Sequence, residues 1–125
     1  MENVEIKVQE MDYSGTEAYK SLRTNLQFCG EDKKVIAVTS CTPNEGKSSV
    51  TMNLAVSMAE AGKKVILIDA DMRKSVLVGR TKVRSSVKGL THYLSKQAPL
   101  IDVICSTNVK RSEEHTSELQ SPFYL

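Results

Sequence analysis

Apolar positions at helical spacing divide the first half of the chain into two helical segments. Residues 17–28 carry Ala18, Leu22 and Leu26 at intervals of four, which predicts a helix that ends near Phe28. A second series begins at Lys47 and stops at Gly62, a residue typical of helix ends. Its members are Val50, Leu54, Ala55, Met58 and Ala61.

The start of the first helix carries the sequence of a capping box. The Ser14 hydroxyl can accept a hydrogen bond from the Glu17 amide, and the Glu17 carboxylate can accept one from the Ser14 amide. Residues 1–13 show no comparable pattern, and we expect them to form an irregular or weakly extended lead-in.

Three short apolar runs have the length and β-branched composition of buried strands. They are residues 34–39 (KVIAVT), 64–69 (KVILID) and 101–105 (IDVIC). Residues 72–88 are expected to form a loop, and residues 89–96 a short helix. Strands that alternate with helices predict an α/β fold with a parallel sheet, flanking helices and right-handed crossovers.

The segment SCTPNEGKS, residues 40–48, lies between the first predicted strand and the second predicted helix. It ends like the phosphate-binding pattern G-x-x-x-x-G-K-S/T, although only Gly46 of the two glycines is present. Asn44 stands at one glycine-type position and tolerates positive φ, while Pro43 stiffens the loop. Lys47 would bridge the outer phosphates of a nucleotide, and Ser48 would bind Mg²⁺.

Two carboxylates leave the end of the second predicted strand in the sequence DADMR. Asp69 and Asp71 would lie on one side of an extended chain, about 7 Å apart. Ligands of open α/β sheets bind at this carboxyl edge. One carboxylate could hold Mg²⁺ while the other orients an attacking hydroxyl, and Arg73 could neutralise phosphate charge.

Both motifs also have plain structural interpretations. Gly-Lys-Ser occurs by chance in ordinary strand–loop–helix turns, and two acids can end a strand in solvent. The sequence context, with a strand before the loop and a helix starting within it, favours the nucleotide site.

Composition narrows the class of protein. The chain has 125 residues, 40% hydrophobic and 26% charged, as in ordinary globular proteins. Three cysteines without ligand spacing fit reduced thiols, and no apolar run is long enough to cross a bilayer. Seven cations and no acids lie between Asp71 and Asp102, which predicts a solvated basic loop or a phosphate-binding patch. No interleaved aromatics accompany them, so no nucleic-acid partner is expected.

Taken together, these motifs resemble the bacterial tyrosine kinases of capsule and exopolysaccharide production, which are P-loop proteins. The resemblance rests on T-P-x-E-G-K-S, hydrophobic-D-x-D-x-R and EAYKSLRTNL, between about Thr16 and Lys110. It implies autophosphorylating tyrosine kinase activity with ATP and Mg²⁺ as cofactors. The implied nucleotide-binding residues are Thr42, Pro43, Asn44, Glu45, Gly46, Lys47, Ser48 and Ser49. The implied catalytic residues are Lys47, Asp69, Asp71 and Arg73, with Ser48, Asp69 and Asp71 at the metal.

The resemblance also implies partners. Glu17, Lys20 and Arg23 fall on the family's E-x-x-R-x-x-R oligomerisation motif, which implies a homo-oligomeric ring. The middle position is Lys20, which keeps the charge but loses the bidentate geometry of arginine. Without a membrane segment, the chain is similar to the split kinases, which imply a transmembrane adaptor and a cytoplasmic location at the inner face of the membrane. Protein tyrosines are the implied substrates.

Two features of the family are missing. The sequence contains neither a second hydrophobic-Asp strand (Walker B) nor a C-terminal tyrosine cluster, so we expect a domain truncated after about half its length. Residues 111–121, RSEEHTSELQS, resemble one reading frame of a common short-read sequencing adapter. We therefore interpret residues 1–110 as the N-terminal part of the kinase domain and residues 111–125 as a non-native tail.

Three functional hypotheses follow. The first is the tyrosine kinase. The second is a partitioning-type P-loop ATPase that switches its assembly with nucleotide; such proteins carry lysine at the second loop position, where this chain has Thr42. The third is a fragment that binds nothing.

Overall fold

The computed structural model describes residues 2–6, 10–30, 32–39, 46–70, 81–82, 88–109 and 122–124. The helices are α1 (Tyr13–Phe28), α2 (Lys47–Glu60), α3 (Leu90–Leu94) and α4 (Leu100–Val103). The strands are β1 (Glu2–Ile6), β2 (Leu67–Ile68), β3 (Thr81–Lys82), β4 (Ile104–Thr107) and β5 (Pro122–Tyr124). This combination of helices and strands agrees with the predicted α/β class.

The five strands form one sheet in the order β2-β5-β4-β1-β3. β1 is parallel to β4 and β2 is parallel to β5, whereas β4 pairs with β5 and β1 with β3 in the antiparallel direction. The described sheet is therefore mixed rather than wholly parallel. Three of its strands come from segments that were not predicted to pair: the lead-in, the predicted loop 72–88 and the C-terminal tail.

The core lies between α2 and the sheet. Met52, Val56 and Ala59 of α2 pack with Leu67 of β2 and Cys105 of β4. Ala59 is 1% exposed and Cys105 is fully buried. These contacts fix α2 across β2 and β4, and so determine where the start of that helix lies.

The helix boundaries agree well with the sequence predictions. α1 ends at Phe28, and α2 runs from Lys47 to Glu60, with Gly62 at φ +85° just beyond it. α3 lies within the predicted segment 89–96. The predicted capping box is wrong, because α1 begins at Tyr13 and its N-cap is Asp12, whose carboxylate accepts the Gly15 amide at 2.8 Å. An N-cap at Asp12 places Ser14 inside the helix, where it cannot cap it.

The apolar stripe that predicted α1 is not the buried face of the helix. Ala18 and Leu22 are exposed, and only Leu26 of that stripe is half-buried. α1 contacts α2, and polar side chains described below take part in that contact. A helix that docks through hydrogen bonds does not need the apolar stripe by which buried faces are recognised.

The predicted strands agree less well with the structure than the predicted helices. Residues 34–39 form no strand and are largely exposed, with Val35 at 91%. Only Leu67–Ile68 of the run 64–69 is strand. In the third run, Pro99 in an extended conformation begins the single turn α4, and the strand starts only at Ile104. Of the predicted loop 72–88, Thr81, Lys82 and Lys88 are the described residues, and Thr81–Lys82 form the strand β3 instead of loop.

Candidate nucleotide-binding site

The candidate site is centred on the first turn of α2. Gly46 is the N-cap of this helix, and the amide of Val50 donates to its carbonyl oxygen at 3.0 Å. The Thr51 hydroxyl donates to the carbonyl of Lys47 at 2.7 Å, which ties a side chain to the first turn. The first amides of an α-helix have no acceptor within the helix and lie at the positive end of its dipole. An anion is therefore stabilised at this end of α2.

Gly46 has a backbone conformation that glycine adopts without strain. Its φ is +82° and its ψ is 15°, in the left-handed region. A Cβ at this position would meet no atom of the described residues within 4 Å, so among them the requirement for glycine is torsional rather than steric.

The two residues that follow Gly46 are Lys47 and Ser48, the predicted phosphate and Mg²⁺ ligands. Lys47 is exposed, so its ammonium group is accessible to a ligand, whereas Ser48 is half-buried, as is Ser49. This places a cation and a hydroxyl in the first turn of one helix. The loop predictions at Thr42, Pro43, Asn44 and Glu45 lie outside the described residues.

Asp69 follows β2 directly at the carboxyl end of that strand and is half-buried. It therefore occupies the sheet edge that the sequence predicted for it. Asp71 and Arg73, which complete the predicted set, lie outside the described residues.

The described oxygen donors suit a metal that shares its ligands with a nucleotide. Among the described residues, no group of three or more His, Cys, Asp or Glu side chains is close enough to form a metal site of its own. Mg²⁺ is usually held by one or two protein oxygens together with water and phosphate oxygens. A serine hydroxyl at Ser48 and a carboxylate at Asp69 are oxygen donors of this kind.

Two polar contacts that the sequence did not predict hold α1 against α2. The Arg23 guanidinium donates to the backbone oxygen of Ser57 at 2.8 Å and lies 3.2 Å from the Ser57 hydroxyl. One turn away, the Asn53 amide nitrogen lies 3.3 Å from the Tyr19 hydroxyl. Asn53 and Ser57 are both buried, which explains why polar residues interrupt the apolar series of α2. That interruption is the only signal by which the sequence could have indicated this contact.

The predicted oligomerisation residues divide into two groups. Glu17 and Lys20 form a 3.4 Å ion pair whose side chains are 43% and 51% exposed. Arg23 is half-buried and contacts α2 of its own chain, as described above. The structure thus brings Arg23 into an intramolecular contact and leaves Glu17 and Lys20 accessible on the surface of α1.

Comparison with known proteins identifies the family. The model of the ParA family, described as NUBPL iron-transfer P-loop NTPase, matches residues 31–95, which span Gly46 to Ser49 and Asp69. The chain belongs to this family of P-loop NTPases. Membership implies nucleotide binding, in agreement with the predicted fold class and with the geometry at the start of α2.

The curated relatives are named as tyrosine kinases. The chain is 50% identical over 95 residues to tyrosine-protein kinase CpsD of Streptococcus agalactiae, which covers 76% of this chain and 42% of that protein. It is 42% identical over 112 residues to CpsD of Streptococcus pneumoniae serotype 4, covering 88% and 49%. It is 38% identical over 114 residues to tyrosine-protein kinase YwqD of Bacillus subtilis, covering 90% and 48%.

These matches confirm the resemblance to bacterial tyrosine kinases that the motifs indicated. The chain spans about half the length of the curated relatives it matches. Within the described ranges, no helix is both long and apolar enough to cross a membrane.

Proposed function

We propose that this chain carries the ATP site of a protein-tyrosine kinase that phosphorylates itself and regulates capsular or exopolysaccharide synthesis. The observation that carries the proposal is the Gly46–Lys47–Ser48 sequence at the start of α2, with Gly46 in the left-handed conformation. The names of the relatives at 38–50% identity support the kinase assignment.

Each residue of the site has a distinct part in this proposal. The Lys47 ammonium binds the outer phosphates of ATP, and the first amides of α2 bind phosphate oxygens. The Ser48 hydroxyl and Asp71 hold Mg²⁺, which neutralises phosphate charge when bound. Asp69 faces the incoming tyrosine hydroxyl and orients it toward the phosphate, and Arg73 stabilises the negative charge that develops there.

The remaining residues of the predicted nucleotide-binding set are Thr42, Pro43, Asn44, Glu45 and Ser49. Phosphate-binding loops contact phosphate mainly through main-chain amides, so we expect side-chain substitutions at Thr42 or Glu45 to weaken binding less than substitution of Lys47.

The same proposal includes the partners implied by the resemblance. A transmembrane adaptor would bring the kinase to the cytoplasmic face of the membrane, and copies of the kinase would associate through Glu17 and Lys20 on α1. The exposure of both side chains supports this arrangement. Arg23 would contribute by holding α1 in place on α2, in addition to any contact with a second copy.

Nucleotide binding tests the first part of the proposal. We expect the chain to bind ATP with Mg²⁺ in equilibrium dialysis, and Lys47→Met to reduce affinity at least about tenfold, because a charge-assisted contact to phosphate is lost. Lys63→Met is the matched control, since Lys63 is an exposed lysine beyond the opposite end of α2. Equal loss in both variants would mean that general charge, and not the site, attracts the nucleotide.

Phosphotyrosine formation tests the second part. In a protein that spans the full length of its relatives, Lys47→Met should abolish phosphotyrosine on an immunoblot, while its circular dichroism stays that of the parent. Retained phosphotyrosine would break the assignment of Lys47.

A partitioning-type ATPase is the second candidate, because the matching family model is of the ParA type. It would show ATP-dependent changes in oligomeric state without phosphotyrosine. Sedimentation velocity with and without ATP, run beside the immunoblot, separates the two candidates.

A further inference from the structure

The three tyrosines whose side chains the structure describes differ in accessibility. Tyr13 is 80% exposed, whereas Tyr93 is 39% exposed and Tyr19 is half-buried. The Tyr19 hydroxyl also lies 3.3 Å from the amide nitrogen of Asn53, so it takes part in the contact between α1 and α2. Tyr13 is therefore the described tyrosine whose phenol is most open to a second molecule.

Tyr13 lies on a different face of α1 from the one that contacts α2. It is the first residue of the helix, and Glu17 and Lys20 follow at intervals of four and three residues, which places the three side chains on one face. Tyr19 and Arg23 contact α2 from another face of the same helix. The phenol of Tyr13 is therefore presented to other copies of the chain rather than to its own α2.

The sequence around Tyr13 is acidic, whereas the candidate nucleotide site and the segment after it are basic. Residues 10–17 carry three acids and no cation. Lys47 lies in the first turn of α2, and residues 72–101 carry seven cations and no acid. Opposite charge steers the segment around Tyr13 toward the site of another copy. Tyr93 belongs to the basic segment itself, so like charge opposes its approach to the same site.

We propose that Tyr13 is a phosphorylation site in trans, selected by its exposure and by the acids around it, an inference that rests on the proposed kinase function. This acceptor is distinct from the C-terminal tyrosine cluster of the family. The phenol oxygen of Tyr13 forms a bond to the γ-phosphorus of ATP, the bond from that phosphorus to the β,γ-bridging oxygen breaks, and ADP leaves. The phenol proton passes to the Asp69 carboxylate of the copy that holds the ATP.

Site-resolved mass spectrometry tests the acceptor. The full chain is incubated with ATP and Mg²⁺, alone and with tyrosine-protein kinase YwqD of Bacillus subtilis, whose activity is followed separately on a Glu–Tyr copolymer. With YwqD, we expect at least about tenfold more phosphate on Tyr13 than on Tyr19 or Tyr93, because charge steers the Tyr13 segment to the site. Tyr13→Phe should remove most of the phosphotyrosine of the chain. Tyr93→Phe is the matched control and should leave it unchanged.

The two reactions separate failure of this inference from failure of the proposed function. Phosphate on Tyr13 with YwqD, and none in the chain alone, would support the acceptor while showing that the chain does not itself transfer phosphate. Phosphate on Tyr19 or Tyr93 in place of Tyr13 would overturn the inference and leave the kinase function standing. A chain that stays unmodified while YwqD phosphorylates the copolymer would also overturn the inference.

Two pairs of neutralising substitutions test the selection by charge. Glu10→Gln with Asp12→Asn removes two acids beside Tyr13, keeps a capping residue at position 12, and should lower the initial rate at Tyr13 about threefold at low ionic strength. Asp32→Asn with Glu60→Gln is the matched control, since both acids are exposed and follow or end their helices. The two contacts between α1 and α2 advance in the same direction along both helices, so the helices are parallel and the control acids lie at the end opposite Tyr13. Equal rates in the two double variants would overturn the selection by charge.

Discussion

In the sequence, residues 34–39 precede the candidate nucleotide loop and α2 follows it. Both elements were predicted from the pattern of apolar residues. α2 forms as predicted and is buried, with Ala59 1% exposed. Residues 34–39 form no strand, with Val35 91% exposed. Apolar patterns in the two regions therefore lead to different structures: one region forms a buried helix, and the other is exposed and forms no strand.

The difference follows from where each element finds its hydrogen-bond partners. A helix forms its backbone hydrogen bonds four residues away, so its pattern contains almost everything it needs. A strand needs a neighbour that is distant in sequence, and the neighbour of β2 in this structure is β5. A strand-like pattern thus indicates a capacity to pair, and tertiary structure decides whether the pairing occurs.

The largest effect is expected from placing a charge in each region. Ala59→Asp should destabilise the chain by roughly 3 kcal/mol or more, because it buries a carboxylate in the core between α2 and the sheet. Val35→Asp should change the free energy of unfolding by no more than about 0.5 kcal/mol, since the site is exposed. Urea denaturation followed by circular dichroism measures both.

The pair is informative in either direction. If Val35→Asp were as damaging as Ala59→Asp, residues 34–39 would be buried in solution, and the contrast between the two regions would disappear. If neither substitution lowered the free energy of unfolding, Ala59 would not be buried between α2 and the sheet.

A second prediction concerns the contact between α1 and α2. Arg23→Met should destabilise the chain by about 2 kcal/mol, because it removes a charged hydrogen bond to the carbonyl of buried Ser57. Lys20→Met is the matched control on the same helix. Its ion pair with Glu17 is about half exposed, so its loss should change stability by less than about 0.5 kcal/mol.

The same two variants separate stability from assembly. A purely intramolecular role for Arg23 predicts that its substitution lowers the urea midpoint without changing the sedimentation coefficient of the folded chain. A lower sedimentation coefficient at unchanged stability would instead favour Arg23 at an interface between copies.

The sequence predicted the local features of the site better than the sheet around it. It predicted the start of α2 at Lys47, Gly46 before it and Asp69 at the end of a strand, because each depends on residues that are neighbours in sequence. It did not predict β1, β3 or β5 or the order of the strands, because strand pairing depends on contacts between distant segments.

The two surprises in α1 have a similar origin. Apolar periodicity predicted the helix, but Ala18 and Leu22 of that series are exposed. The helix docks instead through Tyr19 and Arg23, side chains that patterning treats as solvent-facing. Polar docking leaves no periodic apolar signal, and only the buried Asn53 and Ser57 of α2 show where it occurs.

A third prediction tests the backbone at the candidate nucleotide site. Gly46→Ala should destabilise the chain by about 1 kcal/mol, because alanine is strained at a φ of +82°. Gly46→Asn should be the milder change, since asparagine tolerates the left-handed region best among other residues. A Cβ at Gly46 meets no atom of the residues that the structure describes within 4 Å, so crowding against them contributes little to either value.

The ranking of these two variants is the useful result. Urea midpoints in the order glycine, asparagine, alanine would establish a torsional requirement at position 46. Equal midpoints for alanine and glycine would mean that α2 starts without the left-handed conformation at position 46. The candidate nucleotide site would then not be preformed in the free chain.

The smallest effect is expected at the start of α1, where Asp12 is the N-cap and Ser14 was predicted to be. Asp12→Ala should destabilise the chain by about 1 kcal/mol, because the Gly15 amide loses its acceptor at 2.8 Å. Ser14→Ala should be nearly neutral, since Ser14 lies within the first turn and alanine is the better helix former. Amide exchange at Gly15 and Thr16, measured beside the urea midpoint, localises the effect to this helix end.

The reverse order, with Ser14→Ala the more damaging variant, would restore the capping box that the sequence predicted and would move the start of α1 two residues along the chain. In that case the first turn would depend on Glu17 for its cap, and Glu17 could no longer be assigned to the surface pair with Lys20.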